Sequence, residues 1–313
     1  MAIFESGKKQ TCKELLLDFK SKKQQLKGEK LHFVDVDGRD VYNITAPFED
    51  AGEMVIAGRV EARDSEDSEV FFFVQEDGYW RPRKNAPKFR LQDPFVTKIS
   101  GELVFGGVEI FPHPEIEGAL SYRTIFYRGI DINSLKKFAI GPDGMKDIRL
   151  VELADGKIGV FTRPQGKIGG RGQIGFIKID SLDQLNIEVI NNAKLLTEQF
   201  IEEEWGGANE LHLLSNGLVG VLGHIARFDE EGNRHYYPMV FAFDPLTETA
   251  SSMEIIATRD NFPPGPAKRP DLVDVLFSGG LIRMEDGRAE LYVGVSDAEA
   301  HKIVISDPFL KYE

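Results

Sequence analysis

Five tight turns, each centred on a glycine, recur along this chain at intervals too long and too regular for most β-folds. They align on Gly52, Gly101, Gly156, Gly217 and Gly287, with separations, by subtraction, of 49, 55, 61 and 70 residues. Glycine supplies the positive φ that such turns need, and Ser100-Gly101, Asp155-Gly156, Asn216-Gly217 and Asp286-Gly287 are hairpin signals, as are Asp37-Gly38 and Asp77-Gly78. Flanking runs such as Phe95-Val96-Thr97-Lys98-Ile99 and Glu102-Leu103-Val104-Phe105 alternate at the strand period. Two units share visible sequence: Pro47-Phe48 … Gly52-Glu53-Met54-Val55 … Val60-Glu61, and Pro94-Phe95 … Gly101-Glu102-Leu103-Val104 … Val108-Glu109. Repeats of roughly 40 to 60 residues with about four strands each mark propeller blades. The expected fold is therefore all-β, a five-bladed β-propeller over residues 31–313, with strands near Leu31–Ile44 and Ala300–Ile305 closing the ring. A β-sandwich is the alternative and accounts poorly for the long repeat.

Residues 1–30 read as a short N-terminal helical extension. Thr11-Cys12-Lys13-Glu14 has the form of a capping box, and Leu15, Leu16, Phe19 and Leu26 then recur on one side. Such a stripe packs across the propeller or against a second copy, which leaves a homo-oligomer open, and it is too narrow for a membrane surface. The longest apolar runs, Val70-Phe71-Phe72-Phe73-Val74 among them, are strand-sized, far below the roughly 20 residues of a membrane span. Cys12 is the only cysteine and the N-terminus carries no apolar leader, so a cytoplasmic location is expected, and the sequon Asn43-Ile44-Thr45 reads as accidental. A net charge of −13 repels nucleic acid and anionic lipid. The basic cluster Arg81-Pro82-Arg83-Lys84 is short and reads as a solvated loop. An anion bound by so acidic a chain needs a small, preorganised pocket.

In a propeller the innermost strands line a central funnel, so residues at the edges of the aligned hairpins converge. Collecting them gives Asn43, Arg59, Glu61, Asp93, Glu109, Lys146 and Asp147, then Arg163, Asn209, Glu210, His224, Asp274 and Asp297. Carboxylates, amides and cations together suit a polyol, with cations to spare for an anion. Gly170-Arg171-Gly172-Gln173-Ile174-Gly175 matches the dinucleotide fingerprint literally, but a strand-like run follows it rather than a helix, so it is discounted. The six histidines show no zinc spacing, and no nucleophile elbow or P-loop occurs. No metal is implied.

Beside these readings the residues carry a resemblance. Gly58-Arg59-Val60-Glu61 and Leu91-Gln92-Asp93-Pro94-Phe95-Val96-Thr97-Lys98-Ile99 resemble the inverting β-mannoside phosphorylases of glycoside hydrolase family 130. The likeness continues through Lys146-Asp147-Ile148-Arg149-Leu150, Asp155-Gly156-Lys157, Arg163-Pro164 and Trp205-Gly206-Gly207-Ala208. It ends with Asn216-Gly217-Leu218, His224, Val275-Leu276-Phe277-Ser278-Gly279-Gly280 and Tyr292-Val293-Gly294-Val295-Ser296-Asp297, so all five units are covered in order. The chain is more similar still to their sister group, a domain of unknown function that includes protozoal mannosyltransferase/phosphorylases acting on β-1,2-mannan. That resemblance implies Asp93 as catalytic acid, Arg59 and Asp297 as groups holding the sugar at the cleavage point, and Asn43 as a sugar-binding amide; Glu61, Glu210 and His224, from the convergent set, are further sugar-binding candidates. It implies Lys146, Arg149 and Arg163 around phosphate, which enters as co-substrate with no further cofactor. After Trp205 the chain reads Ala208-Asn209-Glu210 in place of the family's glycine and proline run.

The chemistry is coherent without the family. A hydrolase needs an acid and a carboxylate base, whereas phosphate is already an anionic nucleophile, so a phosphorylase needs one acid and a cation cluster. Glu61, Glu109 and Glu210 could still supply a base, which keeps a β-glycoside hydrolase open beside GDP-mannose-dependent transfer and a non-catalytic sugar-binding propeller. Each residue also has a plainer use. Asp93 could cap a turn before Pro94, Arg59 and Glu61 could form a structural ion pair, Lys146 could start a solvated strand, His224 could sit in a core, and Asp297 could end a strand.

Overall fold

The computed structural model describes residue 4 and residues 6–313. The capping box forms: the Glu14 amide donates to Thr11 Oγ1 and the Thr11 amide to the Glu14 carboxylate, starting helix α1 (Cys12–Ser21). The helix stops short of Leu26, which joins the same apolar cluster from the following loop. Strand β1 (Glu29–Lys30) comes next.

Five strand units follow in sequence. The first holds β2 (Asp40–Tyr42), β3 (Phe48–Asp50), β4 (Glu53–Glu61), β5 (Glu69–Glu76) and β6 (Tyr79–Pro82). The second holds β7 (Gln92–Ile99), β8 (Glu102–Pro112), β9 (Leu120–Gly129) and β10 (Lys136–Ile140). The third has β11 (Arg149–Glu152), β12 (Ile158–Thr162), β13 (Gly175–Ile179) and β14 (Lys194–Leu195). The fourth has β15 (Trp205–Leu213), β16 (Val219–Phe228) and β17 (Arg234–Asp244), edged by β18 (Thr249–Ala250) and β19 (Glu254–Ile255). The fifth has β20 (Asp274–Arg283), β21 (Arg288–Val295) and β22 (Glu299–Ser306). β1 is its outer strand, with Glu29 opposite Lys302. The chain is thus mostly β, in four sheets, because a two-residue parallel contact, His235 and Tyr236 beside Asp274 and Val275, fuses the last two units.

Every unit contains a hairpin at one of the aligned glycines, and all five have left-handed φ, from 78° at Gly156 to 86° at Gly217. In the first two, Ala51-Gly52 and Ser100-Gly101, both residues have positive φ, as a two-residue type I′ turn requires. The other three use longer loops in which the glycine alone is left-handed.

Apolar cores lie between the units taken in cyclic order. Val55 and Phe72 of the first cluster with Phe105 and Ile125 of the second. Phe95 and Phe126 cluster with Leu150 and Val160 of the third. Phe161 and Phe176 join Val221 and Phe243 of the fourth, with Cys12, Leu15 and Phe19 of α1. Leu222 and Val240 join Leu276 and Leu291 of the fifth. Tyr292 and Ala300 of the fifth meet Ile44, Ile56 and Phe73 of the first. Each fully buried side chain of this size stabilises the fold by roughly 1.5–3 kcal/mol. The fifth unit approaches the first so closely that a Cβ on Gly279 would lie 1.6 Å from the Ile44 carbonyl oxygen. Among the described residues no helix is long and apolar enough to cross a membrane.

Candidate active site

Eight or nine residues before each turn glycine the first strand of the hairpin is broken. Pairing slips between Gln92 and Phe95 in β7, between Ala208 and Glu210 in β15, and between Ser278 and Gly280 in β20. At the matching places Asn43 follows β2 and Asp147 lies just ahead of β11. Asn43, Asp93 and Asp147 are left-handed, with φ of 45°, 47° and 57°. Asn and Asp tolerate that conformation best among residues with a Cβ, and a bulge re-aims the side chain it carries. Asp297, after β21, is also left-handed, with φ 49°.

These side chains meet at a hollow of about 220 Å³. Asp93 Oδ1 accepts from Asn43 Nδ2 at 2.8 Å and from Arg59 Nη1 at 3.2 Å. Arg59 lies over the Tyr42 ring, 4.8 Å from its centroid, and Glu61 holds it from behind, Nη2 to Oε2 2.6 Å. Asp147 Oδ2 accepts from Arg163 Nη1 at 3.1 Å, and Arg163 Nε donates to the Gly206 carbonyl at 2.9 Å. His224 Nδ1 lies 2.8 Å from Asn209 Oδ1, and the ring stacks on Tyr236. Lys146 and Asp297 also line the hollow, and neither has a hydrogen bond or ion pair from its side chain among the described residues. At the mouth Arg234 and Arg269, 35% and 48% exposed, share the carboxylate of Asp271.

Burial and charge pull in opposite directions here. Burial would raise the Asp93 pKa, but Arg59, then Lys146 and the Asn43 amide, outweigh it and hold the carboxyl below its ordinary range. Asp147 is likewise held low, chiefly by Arg163 against the effect of burial. Asp297 goes the other way: burial raises it, and Asp93 adds to the rise that Arg59 opposes. Burial disfavours the charge on Lys146, but Asp147 and Asp93 overcome it and its pKa lies above the usual lysine value. Burial pushes His224 down to about 3, so its imidazole is neutral at physiological pH. Three buried polar atoms, Asn43 Oδ1, Asp147 Oδ1 and Asn209 Nδ2, have no hydrogen-bond partner among the described residues. Orphaned polar atoms are costly in a folded interior and recur where a ligand or water completes a site.

Of the residues singled out from sequence, the hollow gathers Asn43, Arg59, Asp93, Lys146, Asp147, Arg163, His224 and Asp297. Glu61, Arg149 and Glu210 lie outside its lining. Glu61 sits behind Arg59 and accepts from Tyr42 Oη at 2.6 Å. Arg149 donates from Nε to the Asn209 carbonyl at 2.7 Å and lies over the Phe95 ring. Glu210 accepts from the Leu281 amide at 2.6 Å and contacts His212, bracing β15 against β20. Glu109 pairs with Arg123, and Asp274 with His235. Sequence reasoning missed Glu66, Arg234, Tyr236 and Arg269, which complete the wall. Arg269-Pro270 repeats the Arg163-Pro164 pattern, a signal that was there to be read. Arg234 and Tyr236 alternate along β17 with no such mark. Among the described residues no group of three or more potential metal ligands occurs.

Comparison with known proteins gives a consistent picture. The model of a family described as a protein of unknown function, DUF1861, matches residues 18–311. A mannose phosphorylase from Leishmania mexicana, solved with a phosphate ion, is 38% identical over 96% of this chain and 94% of its own, with a TM-score of 0.88. A GDP-Man-dependent mannosyltransferase from the same organism is 37% identical over 96% of this chain and 95% of its own, with a TM-score of 0.87. The β-1,2-mannobiose phosphorylase of Listeria innocua, 14% identical over 90% of this chain and 91% of its own, has a TM-score of 0.61, a likeness of fold alone. No curated protein sequence matches the chain.

Proposed function

The chain belongs to the DUF1861 family, and from that membership we propose that it is an inverting β-mannoside phosphorylase acting on β-1,2-linked mannosides. It is an enzyme of the glycosyltransferase and glycoside phosphorylase kind, as its Leishmania relatives are. One observation carries the finer reading: Asp93, aimed by Asn43 and Arg59, shares one small hollow with the unpaired Lys146 and with Arg163. The five units are read as blades of a propeller around this hollow, with residues 1–30 as an extension and 31–313 as the catalytic domain. The apolar cores between units, including the one joining the fifth to the first, support that arrangement.

In the forward direction a phosphate oxygen, held by Lys146 and Arg163, attacks the anomeric carbon of the mannosyl unit from the face opposite the leaving oxygen. The glycosidic C–O bond breaks, the new C–O–P bond forms with inversion to α-mannose 1-phosphate, and the leaving oxygen takes a proton from Asp93. Hydrogen phosphate loses one proton in becoming the ester, and that proton restores Asp93, so the cycle balances. Before phosphate enters, Asp93 is ionised. An entering phosphate dianion offsets Lys146 and Arg59 and raises its proton affinity. Arg59, Asn43 and Asp297 are placed for the mannose hydroxyls, and neutral His224 offers them a ring nitrogen. Glu61, Arg149 and Glu210 support these groups from outside the hollow.

A second reading has one observation in its favour. Arg234 and Arg269 bring more cations to the mouth than one phosphate occupies, which suits a diphosphate-linked donor such as GDP-mannose. Incubation with β-1,2-mannobiose, with and without phosphate, and of GDP-mannose with a mannoside acceptor, separates the two. The expected result is phosphate-dependent release of mannose 1-phosphate. Products formed equally well without phosphate would point to hydrolysis and reject phosphorolysis.

A further inference from the structure

Behind Asp93 lies a closed ring of four alternating charges. Arg59 Nη2 contacts Glu61 Oε2 at 2.6 Å and Glu66 Oε2 at 3.4 Å. Lys268 Nζ contacts Glu61 Oε1 and, at 2.8 Å, Glu66 Oε1, so each cation touches both carboxylates. Three corners are buried, with side-chain exposures of 6% at Arg59, 1% at Glu61 and 5% at Lys268, while Glu66 is half-exposed at the edge of the hollow. Lys268 reaches the ring from the proline-rich segment Pro263-Pro264-Gly265-Pro266-Ala267-Lys268-Arg269-Pro270. Its backbone amide donates to the Ser296 carbonyl at 2.9 Å, one residue before Asp297.

From this geometry, and resting on the phosphorylase reading above, we propose that Lys268 is a positioning residue: it balances the two glutamates and so leaves the Arg59 guanidinium free to hold Asp93. Arg59 has a limited fork of donors, and the two glutamates compete with Asp93 for it. With Lys268 in place two buried cations match Glu61 and Glu66, and the more exposed Arg269 adds a looser contact to Glu66, Nη1 to Oε1 3.8 Å. Without it, Glu61 keeps Arg59 as its one cation and Glu66 keeps only Arg59 and the outlying Arg269, so the Arg59 fork is drawn toward the glutamates and away from Asp93. The charged groups that act on Asp93 are then a weakened Arg59, Lys146, and the opposing carboxylates of Asp147 and Asp297. The proton affinity of Asp93 rises, and the reaction runs at an altered pH and from a displaced acid.

The test compares Lys268→Met, Glu66→Gln and the double variant with the wild-type chain. Lys268→Met is expected to move the basic limb of the kcat profile for phosphorolysis up by about one pH unit. Misplacement of the acid lowers kcat on the order of tenfold to a hundredfold. KM for phosphate stays within about twofold, because Lys146 and Arg163 are untouched. Glu66→Gln removes a competitor for Arg59, so the limb moves down instead. The double variant lies between the singles, with non-additivity of about fivefold in kcat. In parallel, the carboxyl titration of Asp93 is followed by carbon NMR in the ligand-free proteins, where the same opposite shifts are expected. If the wild type releases no mannose 1-phosphate while these titration shifts appear, the phosphorylase reading fails and the positioning role stands. If Asp93 titrates alike in all folded variants, Lys268 is merely structural and the inference is overturned. Should Lys268→Met not fold, Glu66→Gln alone decides, since no downward shift overturns it equally.

Discussion

The two ends of the aligned hairpins use the same chain pattern for opposite purposes. At the turn end Gly52, Gly101 and Gly156 face open space, and a Cβ added to any of them would meet nothing within 4 Å. Glycine is there for its φ alone. At the other end Gly207 lies where a Cβ would sit 2.8 Å from Arg163 Cδ, and glycine is there for closeness. At that end Asn43, Asp93 and Asp147 themselves take the left-handed conformation that glycine takes at the turns. One end solves a problem of geometry and leaves no charge behind. The other gathers Asp93, Asp147, Asp297, Arg59, Arg163 and Lys146 around one small volume, with strain and orphaned polar atoms. Buried charge of both signs, gathered at one end of an otherwise regular repeat, is what supports reading that end as the binding end.

That contrast breaks if substitutions at the two ends have similar consequences. The largest effect is expected from Asp93→Asn, which keeps the size of the side chain and removes the proposed proton donor. Turnover to mannose 1-phosphate should fall about 10²–10⁴-fold, read in a coupled sugar-phosphate assay. Arg163→Ala leaves Asp147 buried beside fewer cations, and should cost roughly 3–5 kcal/mol in denaturant unfolding along with phosphate binding. Lys146→Ala sharpens the distinction. With no direct ion pair to lose, but a charge that Asp147 and Asp93 favour, it should raise KM for phosphate about tenfold or more while costing less in denaturant unfolding than Arg163→Ala.

The neutral, buried His224 makes a pH-dependent prediction. Its folded pKa of about 3 lies below the ordinary value of 6.5, so in that interval the unfolded chain binds a proton that the folded chain does not. Stability contributed by this group is complete above pH 6.5 and is lost as the pH falls toward 3. The thermal midpoint of His224→Gln should therefore decline less steeply than the wild type's between those values. Gly52→Ala is expected to have the smallest effect, about 1 kcal/mol from forcing a Cβ into the left-handed region, with turnover unchanged.

Much of this was legible in the sequence, for identifiable reasons. The five turn glycines, the capping box at Thr11 and the alternation of Phe95–Ile99 are local signals, and each took the expected form. Site residues were readable where they lie eight or nine residues ahead of the turn glycine, as Asp93 does before Gly101 and Asp147 before Gly156. Where a bulge intervenes, strand parity misleads. Glu210 follows the bulge at Asn209 and braces β20, and Arg149 lies two residues past left-handed Asp147 and turns onto Phe95. Arg59 and Glu61 share a face of β4, so their pairing was foreseeable, but not which of them would reach the hollow. Arg234, Glu66 and Arg269 come from the outer strands and connections, beyond the hairpin register altogether.

By itself the sequence determined the turns, the strands, the helix start and the order of the five units, because these depend on backbone preferences within a few residues. Only the tertiary structure decided the charge states at the centre. Asp93 is held ionised by Arg59, 34 residues earlier, while Asp297 is pushed toward its neutral form by the same burial and by Asp93 itself. Proton affinity depends on desolvation and on charges a few ångströms away, and those distances exist only once remote segments have packed together.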